Sequence, residues 1–132
     1  MEITYKFDIT PTAEQVIELY KNCGLPRPVD DLDRIKRIYK GSNLIVTAWH
    51  NNELAGVARC ITDGAWSCYL ADLAVTTTLK KSGIGKKLIE LTQQHLGDEV
   101  MILLLSVPDA MEYYPKVGFK TVDNGFLMAR KK

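Results

Sequence analysis

The run from Leu70 to Leu96, LADLAVTTTLKKSGIGKKLIELTQQHL, constrains the fold more than any other part of the chain. An apolar stretch with strand character passes through a lysine-flanked Gly-Ile-Gly turn and enters a segment of helical periodicity without a break. Ile84, Leu88, Leu91 and Leu96 point one way, and Lys86, Lys87, Glu90, Gln93 and Gln94 the other. The next apolar run, VMILLLSV, is too apolar for a half-exposed strand and predicts a central strand covered on both faces. The remaining elements must fit around this unit of strand, glycine turn, helix and strand.

Upstream, ITYKF alternates like a first strand, and Thr10-Pro11-Thr12 supplies a cap for a helix through AEQVIELYKNCG. In that helix Val16, Leu19 and Tyr20 share a face, and Gly24 is the stop. RPVDDLDRIKRIYKG predicts a second helix, with Asp30 and Asp31 near its N-terminus, Leu32, Ile35 and Ile38/Tyr39 as its stripe, and Gly41 at its end. NLIVTAWHNNELAGVARCITDG is β-branched and apolar on both sides of Asn51-Asn52, where asparagines tolerate the positive φ of a hairpin. WSCYLADLAV makes a fourth strand. After the fifth, PDAMEYYPKVG opens with a proline suited to a first helical turn and ends near Gly118. FKTV and FLMAR then predict a closing hairpin around Asp123-Asn124-Gly125. The order β-α-α-β-β-β-α-β-α-β-β gives a mixed α/β layer, expected to form one domain over residues 1–132.

Bulk properties narrow the partners. A formal net charge of +1 gives no overall field to gather nucleic acid or an anionic membrane, so any basic site is local. The N-terminal residues lack a signal pattern, and the apolar runs fall far short of the ~20 residues of a membrane span. A soluble, cytoplasmic protein is expected. Cys23, Cys60 and Cys68 are odd in number and lack Cys-x-x-Cys spacing, and only His50 and His95 could join them, so neither a disulfide framework nor a metal site is expected.

The glycine turn carries the clearest chemistry. Backbone N–H groups at a helix start lack intrahelical partners and sit at the positive end of the macrodipole, so a glycine turn that exposes them can hold a phosphate. Lys80, Lys81, Lys86 and Lys87 add positive charge there. The plainer alternative is a tight turn beside a solvated lysine face. Two familiar phosphate motifs fail by register. A P-loop would need Gly where Lys80 stands and a hydroxyl where Lys87 stands, and a dinucleotide fingerprint would need a small residue where Leu88 stands.

Lys80-Lys81-Ser82-Gly83-Ile84-Gly85 resembles the Q/R-x-x-G-x-G/A coenzyme A signature of the GNAT superfamily of N-acetyltransferases, with lysine in place of the leading Gln or Arg. LADLAV resembles that family's fourth strand, and AMEYYPKVGF its A-x-x-φ-Y-x-K-x-G-F segment. DGAWSCYLADLAV and LLLSVPDAMEYYPKVGF are further similar to small bacterial members often labelled arylalkylamine-acetyltransferase-like. Val107 stands where many members have Asn.

The resemblance implies a mostly antiparallel central sheet in which strands four and five splay apart, with a β-bulge in strand four. Acetyl-CoA would lie as an extra strand along Leu73, Ala74 and Val75, its pyrophosphate on the backbone of residues 81–86. It also implies attack of a primary amine, expected to belong to a small molecule, on the thioester, with Tyr114 as the acid that protonates the departing sulfur. Packing alone is the other reading of Tyr113 and Tyr114. Asp72 alternates with Leu73 and Val75 and so faces the acceptor side, either as a base for the amine or as a carboxylate holding a neighbouring loop. Asp63 and Trp66 are further candidates for the acceptor pocket. A non-catalytic acyl-CoA-binding or regulatory domain and a protein N-acetyltransferase are the competing readings. The resemblance further implies a homodimer, for which FLMAR would supply an edge strand or an apolar contact.

Overall fold

The computed structural model describes residues 2–132. Five strands run in spatial order β1 (Thr4–Lys6), β2 (Leu44–His50), β3 (Glu53–Thr62), β4 (Ser67–Val75) and β5 (Met101–Leu103). The first four pair antiparallel, while β4 and β5 run parallel because helix α3 (Ile84–Leu96) crosses between them. The expected mixed, mostly antiparallel sheet is what the chain forms.

Local chemistry sets the upstream elements. Helix α1 (Ala13–Cys23) opens on a reciprocal capping box between Thr12 and Gln15 and stops at Gly24, whose φ of 76° is left-handed. Helix α2 (Leu32–Lys40) is capped by Asp31, whose carboxylate accepts from the Arg34 N–H. Leu32, expected on the buried stripe, is exposed; Ile35 and Tyr39 are buried. The hairpin between β2 and β3 turns at Asn51 and Asn52, both with positive φ.

Strand alternation separates two apolar layers. Ile45, Val57 and Ala74 face α1 and α2, whereas Leu44, Val46, Ala58 and Leu70 face Ile84, Leu88 and Ile89 of α3. Each fully buried aliphatic side chain of this kind contributes about 1.5–3 kcal/mol. Gly56 lets α3 approach closely: a Cβ there would lie 3.1 Å from the Ala74 carbonyl, 3.2 Å from Ile84 and 3.3 Å from Leu88. Cys60 and Cys68 are buried and unbridged on adjacent strands, as small hydrophobes should be.

The C-terminal third departs from expectation. VMILLLSV does not form a central strand covered on both faces. It supplies the three-residue strand β5 at the sheet edge, with Ile102 and Leu104 packed inward and Met101, Leu103 and Leu105 exposed. Uniform apolarity cannot distinguish a strand covered by its own chain from one left open. PDAMEYYPKVG splits into a 3-10 turn at Pro108–Ala110 and the single-turn helix α4 (Tyr113–Lys116). FKTV and FLMAR form no hairpin: residues 119–132 carry neither strand nor helix. No helix among the described residues is long and apolar enough to cross a membrane.

Candidate functional site

Strand β4 is irregular in two ways at once. Against β3, Arg59 pairs with Asp72 and Cys60 with Leu70, so Ala71 is an extra residue and bulges. Against β5, pairing covers only Ser67–Tyr69 and stops at Leu103, so residues 70–75 have no strand on that side. β4 and β5 therefore open into a cleft whose β4 wall is an unpaired edge with free backbone polar groups. The bulge is pinned from the helical side, where Arg27 Nη2 donates to the Ala71 carbonyl at 2.9 Å.

The cleft ends at the glycine turn. After a 3-10 turn at Thr77–Leu79 the backbone passes through left-handed conformations at Lys81 (φ 71°) and Gly83 (φ 84°) before α3 begins. The Ser82 hydroxyl donates to the Leu79 carbonyl and is spent inside the turn. No side chain caps α3, in contrast to α1 and α2, so its first N–H groups point outward unanswered. Lys80, Lys81, Lys86 and Lys87 are exposed around it, while the Ile84 side chain is buried and offers only its N–H to the outside. Outward N–H groups at an uncapped helix start beside lysines are an array of the kind that holds phosphate.

The aromatic pair meets the same place. A Cβ on Gly85 would lie 2.8 Å from the Tyr113 hydroxyl and 3.8 Å from Val75 Cγ2, so the end of β4, the start of α3 and α4 converge there. Tyr114 packs edge-on against Tyr113 and Phe119, with centroids 5.3 Å and 5.6 Å away. Burial raises both phenol pKa values, and at Tyr114 the Arg27 guanidinium opposes that rise in part. Both rings are therefore protonated at neutral pH, as a proton donor must be.

Asp72 lies on the opposite face from Leu73 and Val75, as the alternation predicts, and is 2% exposed. Its Oδ1 accepts from Arg27 Nε at 2.6 Å, and its Oδ2 from Arg59 Nε at 2.7 Å and the Tyr20 hydroxyl at 2.5 Å; Tyr20 in turn pairs with the Tyr39 hydroxyl at 2.6 Å. Burial pushes the carboxyl up, but Arg59, Tyr20 and Arg27 outweigh it and hold the pKa below its ordinary value. A carboxylate so saturated with donors is a weak proton acceptor.

The family model described as the acetyltransferase (GNAT) domain matches residues 27–129. The chain belongs to the GNAT acetyltransferase family. An uncharacterized N-acetyltransferase of Pyropia yezoensis, ycf52, is 30% identical over 94 residues, which is 67% of this chain and 54% of that protein, so the chain spans about half the length of this curated relative. Among solved structures, SA2161 of Staphylococcus aureus aligns with a TM-score of 0.83 at 21% identity, over 98% of this chain and 99% of its own. The aminoglycoside N-acetyltransferase AAC(6')-Iy, solved in complex with CoA, aligns at 0.72 and 15% identity, over 99% and 96%. At these identities the likeness speaks for the fold.

Within this GNAT domain the structure gathers Val75, Gly83, Ile84, Gly85 and the tyrosine pair at one end of the cleft. Leu73 lies along the β4 wall, and the Ala74 side chain is buried toward α1. Asp63 caps its own turn, accepting from the N–H groups of Ala65, Trp66 and Ser67, while Trp66 is 74% exposed. Sequence reasoning missed Arg27, Arg59 and Tyr20. Arg27 lies between Pro26 and Pro28 in a loop, 45 residues from the aspartate it binds, and a lone arginine in a loop gives no pattern to read.

Proposed function

We propose that the chain is an acetyl-CoA-dependent N-acetyltransferase acting on a primary amine of a small molecule, close to the arylalkylamine-acetyltransferase-like members in kind and acting in the cytoplasm. One observation carries the reading: the unpaired β4 edge leads directly to an uncapped helix start ringed by lysines. An acyl thioester with a peptide-like arm and a pyrophosphate needs those two features in that order. The donor set fits, since Leu73 to Val75 offer backbone groups for amides and residues 81–86 offer N–H groups and charge for phosphate. Lys80 contributes charge in place of the family's Gln or Arg, and Val107 removes one side-chain donor.

Acetyl-CoA supplies an activated acetyl thioester; the chain supplies position and a proton. Tyr114 is the residue we assign to protonating the sulfur as its bond to the acetyl carbon breaks. A β4 N–H near the bulge is suited to the oxyanion. We assign Asp72 the scaffold role, fixing the Ala71 bulge through Arg27, and leave the amine's proton to solvent.

The experiment is a panel of primary amines incubated with acetyl-CoA, with release of free thiol followed, beside calorimetry of acetyl-CoA binding. Amine-dependent thiol release supports the reading and names the acceptor class. Tight binding without turnover on any amine or peptide would leave a binding domain instead.

A further inference from the structure

Helix α2 carries four cations in nine residues, and they sit in different settings. Arg37 pairs with Asp33, and Arg34 Nη2 donates to the Lys132 carbonyl at 3.2 Å. Lys36 and Lys40, one turn apart, make no ion pair among the described residues, whose ion pairs lie at Arg27, Arg37 and Arg59. Like charges at that spacing repel each other unless an anion answers them. On an open helix face the two lysines would be a solvated stripe, but both line a cavity of about 400 Å³ between the start of α1 and the end of α2. That volume lies in the range of small-molecule sites. Pro11, Ala13 and Tyr39 give the cavity an apolar wall, Thr10 and Ser42 bring hydroxyls, and no acidic residue lines it.

The wall is anchored in the interior. Tyr39 is buried, and its hydroxyl meets that of Tyr20 at 2.6 Å, which donates to Asp72 Oδ2 at 2.5 Å. Ser42 Oγ accepts from Arg59 Nη1 at 2.9 Å, and Arg59 Nε donates to the same Asp72 oxygen at 2.7 Å. Two routes therefore run from the cavity to the carboxylate that, through Arg27, holds the Ala71 bulge. The cavity is separate from the glycine turn, because α1 and α2 cover one face of the sheet and α3 the other. It also lies at the opposite end of the helix pair from the Arg27 loop, about 16 Å away along the eleven residues of α1.

We propose that this cavity is a second ligand site, built for a small organic phosphate monoester. Two unpaired ammonium groups call for close to two negative charges, and a phosphate monoester carries about −1.5 to −2 at neutral pH, where a single carboxylate brings one. Lysine meets phosphate as a point charge with rotatable donors. Thr10 adds a hydroxyl donor, whereas the Ser42 hydroxyl proton is spent on the Ile38 carbonyl. Pro11, Ala13 and Tyr39 take an apolar body beside the phosphate. A ligand held against Tyr39 and Ser42 braces the Asp72 network, so its binding stabilises the folded chain and raises Tm.

Phenyl phosphate is the probe, titrated into the full chain by calorimetry and followed in parallel by thermal unfolding; neither measurement depends on acetyl-CoA. It should bind the unaltered protein and raise its Tm, and benzoate should bind more weakly. Because the glycine turn also offers donors to phosphate, the titration is repeated on Gly83→Asp, where binding at the cavity should persist. In Lys36→Gln combined with Lys40→Gln, affinity should fall at least about tenfold with far-ultraviolet dichroism unchanged, since both side chains are exposed. No binding at millimolar phenyl phosphate, benzoate binding as tightly, affinity kept by the double glutamine variant, or affinity lost in folded Gly83→Asp would each overturn the proposal.

Discussion

Replacing Asp72 with asparagine tests how β4 is held in place. The side chain of Asp72 is 1% exposed and those of Arg59 and Arg27 are 10% and 25% exposed, so the substitution leaves two guanidinium groups, one of them buried, facing an amide that cannot neutralise them. Removing one partner of a buried ion pair costs about 3–5 kcal/mol. Asparagine is isosteric and its oxygen still accepts from Tyr20, so the lower half of that range applies, roughly 3–4 kcal/mol. Against the ~7–20 kcal/mol available to a chain of this length this is a large fraction, and it corresponds to a fall in Tm of roughly 10–15 °C. Urea denaturation followed by dichroism at neutral pH measures it.

The pH dependence has a definite sign. Because the folded-state pKa of Asp72 is depressed, its contribution is complete above the unfolded value of about 3.9 and is lost as pH falls through the lower folded value. The gap between wild type and Asp72→Asn should therefore stay constant from neutral pH to about pH 5 and close only in stronger acid. A base acting on the amine would behave differently: turnover would collapse and its pH profile would shift while stability barely moved. If Asp72→Asn stays within about 1 kcal/mol of wild type yet loses about a hundredfold or more in turnover, the scaffold assignment is wrong.

Tyr114→Phe keeps the ring packed against Phe119 and removes the proton donor, so turnover on a confirmed amine should fall at least about tenfold with acetyl-CoA affinity little changed. Full wild-type turnover, with chemistry shown to limit the rate, would return Tyr114 to packing. Gly83→Asp is a clean probe of the phosphate cradle because a Cβ there meets no atom within 4 Å, so calorimetry should show acetyl-CoA affinity lost for a strain of roughly 1–2 kcal/mol at the left-handed φ. Gly85→Asp is less clean, since its Cβ collides with the Tyr113 hydroxyl. Gly56→Ala should cost about 1–3 kcal/mol in thermal or urea unfolding by pushing α3 off the sheet, and an unchanged midpoint would show that the contact with Ile84 and Leu88 yields freely.

What the sequence discloses is mostly what is decided locally. The Thr12–Gln15 box, the Asp31 cap, the Asn51-Asn52 turn and the side on which Asp72 lies all follow from neighbours a few residues away. The uncapped helix start at the glycine turn is legible for the same reason: Gly83 and the absence of a capping side chain are adjacent in the chain. The Ala71 bulge was not legible from residue patterns, because an extra residue leaves the apolar pattern of LADLAV intact and shows only in the register with β3. The family resemblance was what implied a bulge in that strand. The edge position of β5 is not legible, because an apolar run asks for cover without saying whether the fold provides it.

Arg27 marks the boundary between the two kinds of information. Its partners Asp72 and Ala71 lie far along the chain, and its own surroundings, LPRPVD, announce only a rigid loop. Yet that loop joins α1 to α2, and a guanidinium there is what couples the helical layer to the bulge. Apolar packing alone can slide; an ion pair with two donors to Asp72 and Ala71 fixes register as well as distance. The α3 face of the sheet is held by Ile84 and Leu88 through close contact at Gly56 of β3, and the opposite face of β4 by charge. With both faces fixed and β5 paired over only three residues, the β4 edge is left unpaired from Leu70 to Val75, where the proposed chemistry needs free backbone groups.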